Sequence, residues 1–342
     1  MIEVLTDVEA LESCVGERPA SSMLKSIRYL DDHCQALLAA STFAVAGVVL
    51  DDGTICAAGL GGDPGHLAVT GPTALALPGL AVDAPDGAPV GLLAFVPGYR
   101  ETLRVNGRLR RGPAPHLEVE EAFLHCAKAL IRSRLWTVTS PALPSAEGAA
   151  SLDDPAVAAL LDACPFVALA SCDEAGAADV SPKGDPAGSL VRIVDGTTLA
   201  IADRPGNLRT DTMHNLLGRD RLSLLALVPG SDLVLEARGR AAVTADERVR
   251  AALEVRGKVP KAAIVLAVEH LEVRREPAIT RAGLWDRSRH ANPAALPKAT
   301  QVWVDHVQRS EDTSEMAEMV RGVLTVDAMD EGIAQDYEQN LY

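Results

Sequence analysis

The chain has 342 residues, with 47 acidic against 32 basic side chains and a formal charge of -15. That length suits about two domains, and that charge repels nucleic acid phosphates and anionic lipid, so neither is expected as a partner. No apolar run approaches the roughly 18 residues a membrane span needs, and the opening "MIEVLTDVEALESC" carries acids where a secretory signal carries bases, so a cytoplasmic protein is expected.

In chain order, Met23, Ile27, Leu30, Cys34 and Leu37 recur at three- and four-residue spacing and predict a leader helix with one apolar face. A first block of short apolar runs extends to Trp136. The stretch "TSPALPSAEGAASLDDP" (139–155) is rich in Pro, Ser, Ala and Gly and reads as a linker. Beyond it, "FVALAS", "ADVS", "SLVRIV", "TLAIA", "RLSLLALV" and "LVLEARGRAAV" have strand-forming composition. "DEAG" (173–176) and Asp195-Gly196 supply turns between some of them. Strands so short and closely spaced suggest a barrel or a sandwich. A helix is expected after "RPGN" with Asn207 as its N-cap, and another from Thr244, with Glu247 completing a capping box. In the acidic tail, Met316, Met319, Val320 and Val323 share a helical face expected to pack on the barrels, with a lid over the site as the other possibility. Six cysteines (Cys14, Cys34, Cys56, Cys126, Cys164, Cys172) show no CxxC spacing. They read as thiols, Cys126 as packing, and no metal site is expected, the paired motifs His33-Cys34 and His125-Cys126 included.

The two blocks repeat one another. "GLLAFVPGYRETLRVNGR" (91–108) lies over "SLLALVPGSDLVLEARGR" (223–240), an offset of 132, and "LEVEEAFLHCAKALIRSRLW" (117–136) lies over "LAVEHLEVRREPAITRAGLW" (266–285), an offset of 149. The first copy is therefore 17 residues shorter between those pieces. Upstream, "LLAASTFAVA" (37–46) matches "LLDACPFVAL" (160–169), and "GGDPG" (61–65) matches "KGDPAG" (183–188), which sets Ser181, Pro182 and Lys183 against Gly59, Leu60 and Gly61. The order of the pieces is the same in both halves, so the chain is a tandem duplication.

The segment "DVSPKGDPAGSLVRIVDGTTLAIADRPGNLRTDTMHNLL" (179–217), followed by "LLALVPG", resembles the FMN-binding split β-barrel proteins related to pyridoxamine 5′-phosphate oxidase. The nearest likeness is to a bacterial subgroup of FMN-dependent enzymes. The first copy resembles the same subgroup through "GERPASSMLKSIRYLDDHCQALLAASTF", "VPGYRETLRVNGR" and "LEVEEAFLHCAKALIRSRLW". The resemblance implies a mainly β fold with peripheral helices (α+β) and a cofactor at a two-barrel interface. Here the two tandem split barrels would form an intrachain pseudo-dimer. The expected parts are residues 1–140, residues 151–285, and a helical tail, 286–342. Copy one lacks "DRPGNLRTDT", and copy two has lost "ETLRVNGR" and "FLHCAKALIRS". This complementary loss suggests one retained composite site.

A flavin phosphate calls for Arg forks and backbone N–H groups at a helix start. Copy two offers Arg192, where the resemblance places a phosphate-binding Arg, with Arg204, Asn207, Arg209 and Thr212. Lys183 would reach the flavin ring edge. Copy one would add Arg104, Asn106, Arg132, Arg134 and Trp136, with His125 and Lys128 as contacts to an anionic small-molecule substrate. The alternation of Arg104 and Asn106 suits a solvent-facing strand equally well. An FMN-dependent oxidase or reductase is expected, acting as a monomeric pseudo-dimer or a homodimer. The alternatives are an F420 protein, a haem protein with His125 or His214 as axial ligand, and a flavin-binding module without turnover.

Overall fold

The computed structural model describes residues 2–140, 142–143 and 146–342; Pro141, Pro144 and Ser145 of the expected linker lie outside the described residues. The first half runs α1 (Val8–Val15), α2 (Ala20–Leu24), α3 (Asp32–Ala40), β1 (Phe43–Val49), β2 (Ile55–Gly61), β3 (Val69–Gly71), β4 (Ala74–Ala76), β5 (Pro89–Phe95), β6 (Thr102–Arg110), β7 (His116–His125) and α4 (Lys128–Ser133). The second runs α5 (Pro155–Ala163), β8 (Phe166–Cys172), β9 (Ala178–Gly184), β10 (Val191–Asp195), β11 (Thr198–Ala202), α6 (Asp211–Gly218), β12 (Arg221–Leu227), β13 (Leu233–Thr244), α7 (Glu247–Ala251), β14 (Ala263–Arg275) and α8 (Pro277–Ala282). The tail adds α9 (Ala299–Arg309), α10 (Glu315–Val323) and α11 (Val326–Gln339). Among the described residues, no helix is long and apolar enough to cross a membrane.

The strands form two antiparallel seven-stranded sheets, ordered β2-β1-β5-β6-β7-β4-β3 and β10-β11-β14-β13-β12-β8-β9. Read from opposite ends these are one topology, so the fold is two tandem split barrels with peripheral helices. Even the irregularities recur. The long central hairpin slips register at Asn106/Gly107 in one barrel and at Arg238/Gly239 in the other, and the glycine is required there. A Cβ on Gly107 would stand 1.9 Å from the Glu118 carbonyl oxygen, and one on Gly239 would stand 2.0 Å from that of Ala267. The 17 extra residues of the second copy are the α7 segment, inserted between β13 and β14.

Each barrel encloses its own apolar core, and a third core lies between them. That shared core brings Phe43, Val45 and Phe95 of the first barrel against Phe166, Ala168 and Leu225 of the second. The Phe95 ring meets Phe166 edge-on, at 5.6 Å between centroids. The helix that follows each barrel crosses onto the other one. α4 lies on β9 so closely that a Cβ on Gly184 would stand 2.0 Å from the Ala129 carbonyl oxygen, and α8 lies on β2 with the same 2.0 Å between a Cβ on Gly61 and the Ala278 oxygen. Residues 2–15 also cross over: Leu11 and Val15 of α1 belong to the second barrel's core, and Leu5 bridges Val243.

Four local expectations are corrected. The leader is not one helix, because Ile27 exchanges backbone hydrogen bonds with Ala122 and Asp31 caps a new start at α3 by accepting from the Cys34 N–H. α6 begins at Asp211 rather than after Asn207, whose side chain instead accepts from the Arg209 N–H. α7 is capped by Asp246, while the Thr244 hydroxyl donates to the Glu3 carbonyl. In α10 the expected apolar face exists, but Met316, Met319 and Val323 point to solvent and Ala317 is its buried residue.

Candidate functional site

A cavity of about 350 Å³ opens where the two barrels meet, within the range of small-molecule sites. From the first barrel, β6 supplies Arg104, the end of β7 supplies His125, and the crossing helix α4 supplies Arg132. From the second, β9 supplies Ser181 and Lys183, the loop 203–210 supplies Arg204, Asn207 and Arg209, and α6 supplies Asp211 and Thr212. The α7 insertion adds Lys258 and Lys261. The lining therefore carries seven basic side chains (Arg104, Arg132, Lys183, Arg204, Arg209, Lys258, Lys261) against the carboxylates Asp203 and Asp211. In a chain of net charge -15, the lining is a local excess of basic side chains.

The floor is an ion-pair network that spans both halves. Arg104, almost fully buried, donates to Asp211 at 2.6 Å and to the Ser181 hydroxyl at 2.7 Å. Arg209 donates to Asp211 at 2.9 Å, to Glu121 at 3.1 Å and to the Ser26 hydroxyl at 2.8 Å, and its guanidinium lies 3.8 Å from the Phe123 ring centroid. Burial alone would raise the Asp211 carboxyl, yet Arg209 and Arg104 hold it down to about 2. Asp179 sits below, 3.6 Å from Arg104 and hydrogen-bonded by Ser181, Ser171 and Asn215. There burial wins, and its carboxyl is pushed up to about 6. Burial, with the nearby Arg104 and Lys25, holds the His125 imidazole well below its ordinary range, so it is neutral at pH 7.

Arg204, Lys183 and Arg132 are tied to the protein. Arg204 donates to Asp185 at 2.6 Å and to the Leu253 carbonyl at 2.6 Å, and Lys183 pairs with Asp203. Arg132 donates to the carbonyls of Gly184 (2.9 Å), Pro205 (2.9 Å) and Leu341 (3.0 Å). Four buried polar atoms of the lining have no partner among the described residues: Asn207 Nδ2, Thr212 Oγ1, Arg104 Nε and His125 Nδ1. Leu208 and Thr210, on either side of Arg209, hold left-handed backbone at φ 57° and 50°, a strain of about 1 kcal/mol or more each.

The structure thus gathers Lys183, Arg204, Asn207, Arg209, Thr212, Arg104, Arg132 and His125 around one cavity. It does not bring Arg192 there. β10 is an edge strand, and its arginine lies half in solvent against the Ala252 carbonyl and Asp162. Asn106 stands behind the lining, donating to Glu121 at 2.8 Å. Lys128 is buried under the tail, 2.7 Å from Asp336. Arg134 ends α4 in left-handed backbone with an exposed side chain, and Trp136 donates to the Tyr99 carbonyl at 2.7 Å within the shared core. The residues that sequence reasoning passed over are Ser181, Asp211, Lys258, Lys261 and Tyr342. The 17-residue insertion was the visible signal for the two lysines.

The pseudo-equivalent position in the other half is closed. Phe43 faces Gly61 in the first barrel as Phe166 faces Gly184 in the second. Ser181, Pro182 and Lys183 therefore correspond to Ala58, Gly59 and Leu60, one residue earlier than the sequence comparison placed them. Glu236 stands where the first barrel has Arg104, and Arg274 where it has His125. Glu236 and Glu276 accept from the Ala57 and Gly59 N–H groups at 3.3 Å, and Arg274 pairs with Glu276 at 2.7 Å. A Cβ on Gly59 would stand 2.7 Å from the Glu276 carboxyl carbon, so glutamates fill the space.

A further buried cluster joins Asp31, Cys34 and His306 on the far side of the first barrel. There Asp31 caps α3, accepts from Arg309 and pairs with His306 at 3.2 Å, which docks α9.

Residues 153–275 match the model of the family described as pyridoxamine 5′-phosphate oxidase. Among solved structures, HupZ of Group A Streptococcus is similar at 19% identity over 33% of this chain and 86% of its own, with a TM-score of 0.28. A Clostridium acetobutylicum protein related to general stress protein 26, of the pyridoxinephosphate oxidase family, is similar at 14% identity over 34% and 83%, with a TM-score of 0.26. HutZ, the haem storage protein from Vibrio cholerae, is similar at 12% over 36% and 97%, with a TM-score of 0.25. No curated protein sequence matches the chain.

Proposed function

The second half of this chain belongs to the pyridoxamine 5′-phosphate oxidase family, and we propose that the composite pocket holds one flavin mononucleotide per chain, in an FMN-dependent oxidoreductase acting on a small anionic organic substrate. The observation that carries this reading is the convergence of basic side chains and unpartnered donors from both barrels on one cavity of an otherwise acidic molecule. The donor set suits a phosphate: Asn207 Nδ2 and Thr212 Oγ1 lack partners beside Arg204, Lys258 and the strained turn around Arg209. When bound, FMN supplies the two-electron chemistry, and the protein supplies position and field. Lys183 and neutral His125, both on the cavity wall, would stand at the ring end, where a lysine charge would favour an anionic reduced ring and His125 would offer a hydrogen bond without adding charge. Arg104 and Arg209 fix the floor across the barrel junction.

The test is flavin content and affinity of the purified protein. One flavin per chain is expected, weakened about tenfold by Asn207→Ala and by Thr212→Val, which is one lost charge-assisted hydrogen bond each. Two flavins per chain, or none, would defeat the proposal. Haem has one observation in its favour, the neutral imidazole of His125 on the pocket wall, and a Soret band after haem titration would select it. Flavin that binds but is reduced by no donor would make the protein a flavin carrier.

A further inference from the structure

Lys128 and Arg132 lie one turn apart on α4, and residues 336–342 cover both. Lys128 Nζ donates to the Asn340 carbonyl at 3.0 Å and pairs with the Asp336 carboxylate at 2.7 Å; Arg132 donates to the Leu341 carbonyl at 3.0 Å. The Tyr337 hydroxyl accepts from the Ala127 N–H at 3.3 Å, and Tyr342 reaches the cavity lining, its ring 4.9 Å from the Arg256 guanidinium. Both cations are buried by these contacts, Lys128 to 1% and Arg132 to 6% exposure.

Two features mark this cover as a stand-in. Arg132 is a buried guanidinium whose hydrogen bonds all go to neutral carbonyls, with Asp185 acting on it only from beyond ion-pair distance, and a buried cation so poorly matched is costly. The ion partner of Lys128 is Asp336, itself 42% exposed. The helix bringing these acceptors is weakly held: α11 has no fully buried residue, and Lys298 pairs with its Asp330 at the exposed surface. Elements with so little buried area open at low free-energy cost.

We propose that Lys128 and Arg132 form an oxyanion subsite at the mouth of the pocket, and that residues 336–342 are its resident occupant, displaced when a ligand bearing a phosphate or carboxylate group arrives. This deepens the reading above by assigning the residues that receive the substrate's anionic group, and it rests on the cavity being a ligand site, not on the ligand there being flavin. The tail then competes with ligand at the subsite, and apparent affinity falls by the fraction of time the strap is closed.

The test uses inorganic pyrophosphate, measured by calorimetry on the full chain, on a chain ending at Gln339, and on Asp336→Asn. The shortened chain is expected to bind about tenfold more tightly and Asp336→Asn about threefold, with the gain abolished when Lys128→Ala and Arg132→Ala are added. Hydrogen exchange at residues 336–342 of the full chain should quicken as pyrophosphate is added. Equal or weaker binding by the shortened chain, no binding by any form, or a gain that survives the double alanine change would overturn the proposal. Asp336→Asn alters one partly exposed side chain and so reports even if the shortened chain folds poorly. Flavin content, read separately by absorbance, scores the proposal above independently.

Discussion

Asp179→Asn is expected to stabilise the protein at neutral pH. The carboxyl is buried beneath the pocket, and burial together with the nearby Asp211 outweighs the pull of Arg104 and lifts it from 3.8 to about 6. A group whose folded value is raised prefers to be protonated in the native state. Stability is therefore greatest below about pH 4 with respect to this group and falls as pH rises toward 6 and beyond. The difference corresponds to about 3 kcal/mol of penalty once the carboxylate is ionised at pH 8. An amide keeps the volume and the hydrogen bonds of Ser181 and Ser171, with the Asn215 amide turned to accept, and carries no charge. Urea unfolding should show the variant more stable than the parent by up to about 3 kcal/mol at pH 8, with the gap closing by pH 4. A variant that is less stable at pH 8 would refute the reasoning, since it would mean that the ion pair with Arg104 outweighs desolvation.

The helix crossover gives a second prediction. Gly184→Ala and Gly61→Ala each drive a Cβ into backbone at 2.0 Å, which no rotamer relieves, and each should cost about 3 kcal/mol in thermal or urea unfolding, whereas Gly112→Ala, with nothing within 4 Å, should change stability by less than about 0.5 kcal/mol. Arg104→Met removes one of the two buried guanidiniums that hold Asp211 and the donor to the Ser181 hydroxyl, and should cost about 3 kcal/mol by the same measurement; an unchanged midpoint would show the network is not structural. Arg192→Ala, at the edge strand and away from the cavity, should leave flavin affinity within twofold of the parent, and a loss like that of Asn207→Ala would show that a second phosphate contact forms there.

The duplication and the strand content were legible because they follow from short-range pattern, and both halves line one cavity. Repeated strings fix equivalent strands, and of the cations in "RPGNLRTDT" and "LHCAKALIRSRLW" Arg204, Arg209 and Arg132 line the cavity, while Lys128 lies under the tail and Arg134 in solvent. What escaped was set by tertiary contact. Asn207 looks like a helix cap, but the loop after it bends through left-handed Leu208 and Thr210 before α6 can start. The leader keeps helical spacing from Met23 to Leu37, and its middle turn is lost to a backbone bridge with Ala122 that no local signal announces. Arg192 and Arg204 belong to the same stretch of chain, and only the strand order shows that one lies on an outer edge. The contacts of residues 336–342 with α4 left no sequence signal: two are backbone carbonyls on Lys128 and Arg132, and the pairing of Asp336 with Lys128 joins residues far apart in the chain.

The reciprocal docking of α4 and α8 also bears on how the molecule behaves in dilute solution. In a pair of separate subunits, a pocket built from two surfaces falls apart as concentration drops, and every substitution appears twice. Here a tether keeps the partners together at an effective concentration on the order of millimolar, so ligand uptake should not depend on how much protein is present. Because Arg104 and Glu236 occupy matching places, each face has been free to change without its mirror image having to tolerate the same change, and either can be altered singly by design.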